Sequence, residues 1–259
     1  MKGLLICGGL GTRLRPLTEV THKSLLPVYD KPLIMYPLDV LVKAGIKEIM
    51  IITAPEQAGK FMQFLGSGER FGCEFSFRIQ ERPGGIAQVL GMAEAFAAGD
   101  SICAVLGDNI FLDDLSEDIK GFKGGGHLFV TEVPDPERFG VVEMNNGNVI
   151  SVEEKPKAPK SNLIGTGCYI YDNRCFEVVR NLEPSYRGEL EITDVNKWYL
   201  EQGALTASIL EKYWIDAGTF DSLLDASNAI YNEKQQTLEQ NNTVNDTVNK
   251  QQEQTSVTA

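Results

Sequence analysis

The sequence predicts an α/β fold: a mostly parallel, Rossmann-like central sheet with flanking helices and a smaller β-rich lobe. Three observations predict it. Apolar runs of strand length alternate with helical patterns over most of the chain. A glycine-rich turn, Gly8-Gly9-Leu10-Gly11, directly follows the first apolar run, and short strand patterns take over beyond about residue 125. Alternation of strand and helix is what parallel strands with crossover helices require.

The elements follow in order. Residues 2–7 form an apolar run of strand length. Residues 33–44 place Ile34, Leu38, Leu41 and Val42 on one helical face, with Gly45 as a C′ cap. Residues 48–53 read as a buried strand, and 86–97 as one helix carrying Ile86, Val89, Leu90, Ala93 and Phe96 in register. A further buried strand, 102–106, ends at Gly107-Asp108-Asn109. Residues 127–133, 139–144 and 149–153 read as short strands, with a hairpin turn at Asn145-Asn146-Gly147-Asn148. These are expected to form a lobe covering one side of the sheet. Helical patterns return at 192–202 and 219–232. One domain over 1–232 is therefore expected. The polar stretch 233–259, rich in Gln, Asn and Thr, is expected to be disordered, because it has too little apolar surface to offset ordering.

A formal net charge of −12 argues against a nucleic-acid surface, which would be basic. It leaves room for an anionic small ligand, since a few cations and backbone N–H groups can set the field inside a cleft. No apolar run approaches the roughly 18 residues of a membrane span. The apolar N-terminus is too short for a signal peptide, because glycines and Arg13 follow at once. Five cysteines without a Cys-x-x-Cys, beside only two histidines, disfavour a zinc site and fit a reducing cytoplasm.

Glycines directly after a buried strand let a backbone approach phosphates, though three glycines alone serve equally well as a tight turn. Two familiar nucleotide motifs fail on spacing. A dinucleotide fingerprint counted from Gly9 needs glycine where Leu14 stands, and a P-loop needs glycine where His22 precedes Lys23-Ser24. The chain offers instead Gly-x-Gly-Thr-Arg-x-x-Pro-Leu-Thr as far as Thr18, then Lys23 and Pro27. Arg13 and Lys23 are cations able to reach a polyphosphate. Asp108 and Asp216, each beside a turn glycine, suit Mg²⁺, which takes one or two carboxylates plus water and phosphate; taken singly, either suits a cap or turn. Glu154-Lys155 at a strand end reads without context as a solvated charge pair, and Gln80 and Gly85 as a polar strand end and a turn. His22 and His127 read as surface or packing residues.

Taken together, Gly8 to Thr18, Lys23 to Val28, Gln80 to Gln88, Gly107-Asp108-Asn109, Glu153 to Pro156, Arg187 to Asp194 and Trp214 to Thr219 resemble the sugar-1-phosphate nucleotidylyltransferase family. The resemblance is strongest to the branch that uses dTTP and glucose 1-phosphate. It implies the nucleotide-diphospho-sugar transferase fold, with nucleotide binding over about 1–125 and a sugar-binding and lid part over about 126–232. It also implies Mg²⁺-dependent formation of dTDP-glucose and pyrophosphate for activated-sugar biosynthesis, in a cytoplasmic homo-oligomer without nucleic-acid or membrane partners. Two alternatives remain: the same reaction with UTP or another sugar 1-phosphate, and a non-catalytic sugar-nucleotide-binding regulatory protein. Residue by residue, the resemblance puts Gly8, Gly9, Gly11, Thr12 and Arg13 on the triphosphate, and Gln80 and Gly85 on the base. Gly140, Glu154, Lys155 and Tyr169 fall on the sugar phosphate, Asp108 and Asp216 on the metal, and Arg13, Lys23 and Lys155 on catalysis. Ser24 is a departure, standing where relatives of that branch often carry Gln.

Overall fold

In the computed structural model the backbone is described for residues 1–9 and 11–256, and side chains as far as Glu239. The chain opens with β1 (Lys2–Cys7), the short helix α1 (Leu17–Val20) and a small ribbon of β2 (Pro27–Val28) and β3 (Lys31–Pro32). Then come α2 (Met35–Lys43), β4 (Glu48–Thr53), α3 (Ala58–Leu65), β5 (Glu74–Ile79), α4 (Ile86–Met92), α5 (Glu94–Ala97) and β6 (Ile102–Leu106). Strands β6, β1, β4 and β5 pair in parallel in that order. The sheet is covered on both faces, which is why β1 and β4 read as continuous apolar runs. Leu4 packs with Ile52, Ala104 and the α4 residues Val89 and Leu90 on one face. Its neighbour Leu5 packs with Ile34, Leu38, Leu41 and Phe61 of α2 and α3 on the other.

The second half begins with β7 (Asn109–Phe111), α6 (Ser116–Gly121), β8 (Gly126–Glu132), β9 (Gly140–Asn145), β10 (Asn148–Glu154) and β11 (Leu163–Tyr171). It ends with α7 (Arg174–Arg180), α8 (Ile192–Glu201), β12 (Leu205–Ile209), β13 (Trp214–Asp216) and α9 (Phe220–Ser256). Strand β11 joins the halves: it runs antiparallel to β6 through Cys168–Tyr171 and also pairs with β8 and β9. The result is one nine-stranded sheet, β10-β9-β11-β6-β1-β4-β5, with β8 and β12 branching from β11. The later strands thus extend the sheet rather than cover a side of it, as expected from sequence. The β11–β8 register is broken between Gly165 and Tyr169, within the strand that serves three neighbours.

Two further expectations are corrected. The helix read over 86–97 is divided at Ala93, whose N–H bonds back to Leu90 three residues earlier and closes α4. Order also does not stop at 232: α9 carries 233–239 as helix, with Lys234 paired to Asp30 and Lys212 lying 3.6 Å from Glu233. Straight-chain Glu, Lys and Gln lose little freedom in a helix, so two local ion pairs can extend it where apolar surface is scarce. The side chains of the rest of the expected disordered tail lie outside the described residues.

The topology has one consequence for function. Gly8, Gln80 and Asp108 come immediately after or just beyond the carboxyl ends of the parallel strands β1, β5 and β6. Ligands in open α/β sheets bind along that edge.

Candidate active site

Two cavities meet along this edge. The first, about 230 Å³, is lined by Gly8, Gly9, Lys23, Gln80, Gly85 and Asp108, with Ile6, Pro83 and Val89 among its apolar walls. The second, about 370 Å³, is lined by Arg13, Asp108, Phe139, Gly140, Glu154, Lys155, Tyr169, Trp214 and Asp216, among others. Asp108, Leu106, Ile86 and Glu189 line both. Of the residues that the resemblance puts on the triphosphate, base, sugar phosphate or metal, Gly11 and Thr12 line neither. Gly11 takes φ 62° and starts the short turn over 12–14, and its carbonyl accepts from Thr18 Oγ1 at 2.8 Å.

In the smaller cavity, glycine is required by close approach. A Cβ on Gly8 would lie 2.1 Å from Gln80 Oε1, so the Gln80 carboxamide lies directly over the loop backbone. Gln80 Nε2 donates to Gln88 Oε1 at 2.8 Å, which fixes the carboxamide's orientation. Gly85 has φ 93°, and a Cβ there would lie 2.3 Å from the Leu190 carbonyl, so the loop before α4 packs against the segment before α8. Ser24 is wholly buried and lines neither cavity; its Oγ lies near the position a Cβ on Gly107 would take.

Asp108 is the hinge between the cavities. It is 9% exposed and forms an ion pair with Lys23. Burial alone would raise its pKa, but the Lys23 ammonium and the hydrogen bonds from Lys23 and Asn109 outweigh it and hold the carboxyl below its usual range. Asp216 comes in from β13, whose pairing with β7 sets Asp216 opposite Asn109. The Ala217 N–H donates to the Asp108 carbonyl at 2.9 Å, so the two acids flank one hydrogen bond. Asp216 is the weaker acid: burial, and then the charge of Asp108, push its pKa up to about 6.

Among the described residues no cluster of three or more His, Cys, Asp or Glu is placed to hold a metal. The Asp108–Asp216 pair nevertheless fits a hard dication that takes its other ligands from water and phosphate. Asp216 Oδ1 is buried with no hydrogen-bond partner, so it is an acceptor that a cation could take up. A prediction follows from its raised pKa. A carboxyl with a folded pKa above its unfolded value favours the fold at low pH and loses that contribution as pH rises through the folded value. In chelator, Asp216 should therefore cost stability between about pH 4 and pH 6, and added Mg²⁺ should restore it. The Mg²⁺-induced rise in Tm should be full at pH 7.5 and small at pH 5, where the proton competes. An equal rise at both values would separate Asp216 from the cation.

The larger cavity takes its shape from three supports. Lys155 adopts φ 43°, a left-handed conformation rare for a side-chain-bearing residue, at the end of β10. Its N–H is tied to the Phe139 carbonyl at 2.9 Å. Strain of this kind concentrates at functional sites. Glu154 accepts from Thr193 Oγ1 and, at 3.3 Å, from Arg187 Nη2; Arg187 also donates to Glu191 at 2.7 Å. Asn109 Oδ1 accepts from Trp214 Nε1 at 2.7 Å and from the Gly167 N–H at 3.0 Å, fixing the indole edge-on to Phe139 as one wall. Asn109, Arg187, Thr193 and Trp214 were not singled out from the sequence as site residues. All four lie inside the motifs that carried the resemblance, which was the available signal; Asn109 was also visible as the neighbour of Asp108.

Of the two readings open for His22, surface or packing, the structure shows the second: it is 4% exposed, and both ring nitrogens are engaged by main-chain groups.

A doubly lined cleft of cations and two acids at the carboxyl edge of an α/β sheet defines a phosphate-handling transferase. Comparison with known proteins agrees. Residues 2–233 match the family described as nucleotidyl transferase, and the chain belongs to that family. It is 48% identical over 237 residues to the glucose-1-phosphate thymidylyltransferase of Neisseria meningitidis, covering 89% of this chain and 82% of that one. It is 46% identical over 236 residues to the Mycobacterium tuberculosis protein of the same name, with the same coverages. A Bacillus anthracis structure described as a glucose-1-phosphate thymidylyltransferase in complex with sucrose superposes with a TM-score of 0.83 at 47% identity, over 88% of this chain and 94% of that one. A UDP-glucose pyrophosphorylase crystallised with UDP-glucose, 24% identical with TM-score 0.78 over 90% and 98% of the two chains, shares the fold. Among the described residues no helix is long and apolar enough to cross a membrane.

Proposed function

We propose that the chain transfers a thymidylyl group from dTTP to glucose 1-phosphate, giving dTDP-glucose and pyrophosphate, with Mg²⁺ as the metal. The observation that carries this is the meeting of two cavities at Asp108, one lined by Gly8, Gly9, Gln80 and Gly85 and one lined by Glu154 and Lys155. Relatives of the same family carry that name at 44–48% identity.

In this reading the base lies against Gln80 and the Gly85 backbone. A carboxamide offers both donor and acceptor, matching the imide edge of thymine or uracil. The phosphates run along Gly8 and Gly9 toward Lys23 and Arg13. Lys155 holds the phosphate of the sugar phosphate, and Glu154, oriented by Thr193 and Arg187, accepts from sugar hydroxyls beside Gly140. One phosphate oxygen of the sugar phosphate attacks the α-phosphorus. That P–O bond forms as the bond to the β-phosphate oxygen breaks, and pyrophosphate leaves with the electron pair. A phosphate monoester with a second pKa near ~6 is already mostly dianionic, so no side chain need remove a proton. Magnesium, when bound, neutralises phosphate charge at Asp108 and Asp216. The side chains supply position and fixed positive charge, the main terms in phosphoryl-type transfer.

The test is a matrix of dTTP, UTP, CTP and ATP against several sugar 1-phosphates, read as pyrophosphate release. The dTTP and glucose 1-phosphate pair should give the highest kcat/KM, with UTP within the roughly 10–200-fold that one methyl allows. A higher value for UTP, or for another sugar, would reassign the substrate. Binding of both substrates without pyrophosphate release in Mg²⁺ would make the chain a sensor.

A further inference from the structure

Gly8, Gly9 and Gly11 have no side chains to hold their backbone, so contacts from outside must help fix the loop before a phosphate arrives. Glycine surrenders more backbone freedom on ordering than any other residue, and Gly9 is exposed at the cavity wall. Two tethers reach the loop from outside. Thr18 Oγ1 donates to the Gly11 carbonyl at 2.8 Å, and the His22 ring meets the Gly9 carbonyl at 2.8 Å.

The second tether is unusually well defined. His22 Nδ1 receives the Ser24 backbone N–H at 3.1 Å. A backbone amide can only donate, so Nδ1 carries a lone pair and Nε2 carries the hydrogen, which it donates to Gly9. Each nitrogen therefore has one possible role. The ring plane is fixed by an edge contact with Phe61, at 5.1 Å between centroids and 63°. An imidazolium could not accept from Ser24, so protonation would break one of the two bonds. Burial first, and then the Lys23 charge, push the His22 pKa down to about 4, against weaker opposing effects of the Gly9 carbonyl and Asp108; Lys60 reinforces the fall.

We propose that His22 is a positioning residue of the triphosphate loop, tying the Gly9 carbonyl to the turn that presents Lys23. The proposal rests on the reading of that loop as a triphosphate cradle. One bond turns the Gly9 carbonyl oxygen into the protein and away from incoming phosphate oxygens. The other caps the turn over 23–25, whose first residue sends its ammonium to Asp108. Gly9 and Lys23 are close neighbours: a Cβ on Gly9 would lie 3.4 Å from Lys23 Nζ. The ring thus sets the backbone arm and the cationic arm of the cradle relative to each other, without touching substrate.

Two substitutions separate the bonds. His22→Asn keeps an acceptor where Nδ1 stands and retains the Ser24 cap, but it cannot reach Gly9. His22→Gln places an amide N–H near Nε2 and retains the Gly9 tether while losing the cap. For His22→Asn, kcat/KM for dTTP should fall about tenfold, the worth of one organised hydrogen bond. KM for glucose 1-phosphate should not change. His22→Gln should recover kcat/KM for dTTP to within about threefold of wild type. Imidazole ¹⁵N shifts of the wild-type protein should report Nε2–H and no titration above pH 5.5.

Wild-type kinetics in His22→Asn would overturn the proposal. So would equal losses in both variants that merely track Tm, or an Nδ1–H tautomer. A wild-type protein that releases no pyrophosphate would instead sink the enzymatic reading, in the wild-type arm alone. The dTTP affinity of the variants would then still read the tether, and unchanged affinity in His22→Asn would overturn it.

Discussion

Asp108→Asn is expected to lower Mg²⁺-supported kcat by at least about a thousandfold, the loss seen when a preorganised charge partner is removed from a transfer site, while the chain still folds. The size follows from the position. Asp108 lines both cavities, and its carboxyl is held ionised by Lys23 although buried. Asparagine preserves shape and still offers Lys23 an acceptor, but it contributes no charge to a cation. Breaking a buried ion pair by removing one partner typically costs about 3–5 kcal/mol. Here the loss should lie at or below the lower end, because Asp216 is close by. The Asp108 charge is one reason the Asp216 carboxyl titrates near 6, so its removal lets Asp216 ionise more readily and take up part of the attraction to Lys23. A Tm drop of less than about 10 °C should therefore accompany near-complete loss of turnover. A normal Mg²⁺ titration in this variant would remove Asp108 from the metal site.

The same pair of acids shows what could and could not be read from sequence. Asp108 was legible because it directly follows a buried strand, and parallel sheets place their chemistry there. Asp216 was legible mainly through its motif: β13 is only three residues long, and its pairing with β7 is a long-range event that no local pattern announces. The parallel half of the sheet was read well for a related reason. Strands buried on both faces leave uninterrupted apolar runs, so β1, β4 and β6 came out with their observed bounds. The later strands were found, but their place was not. Periodicity reports which residues are buried and says nothing about which neighbour buries them. The joining strand β11, with Gly165, Thr166 and Gly167 in its middle, carries no clean pattern at all. Those small residues serve the Asn109 contact and the larger cavity. For His22 the sequence left surface and packing both open: it stands beside a lysine, and the Gly9 carbonyl that makes it an interior group is distant in the chain.

Arg13→Ala is expected to lower kcat by about 10²–10³ with little change in Tm, and the contrast between the two readouts is the point of the experiment. Its guanidinium is half exposed and lies 3.9 Å from Asp216, a contact too open to contribute much to stability. Its value lies in where it is held. Gly218 leaves the space: a Cβ there would lie 2.6 Å from Arg13 Nη2. The planar fork is thus kept at the wall of the larger cavity, beside the acid proposed to hold the metal, where negative charge would develop on the phosphates in the proposed reaction. Arg13→Lys keeps the charge but not the fork, so it should recover only part of the loss. Gly218→Ala offers a second route to the same conclusion without touching the charge. The new methyl meets first the far end of the flexible Arg13 side chain and then, at 3.1 Å, Asp216 Oδ1, so the guanidinium should move further than the acid, and kcat should fall by a smaller factor than in Arg13→Ala. Near-normal kcat in Arg13→Ala would take the residue out of the reaction, and full activity in Gly218→Ala would show that its resting position does not matter.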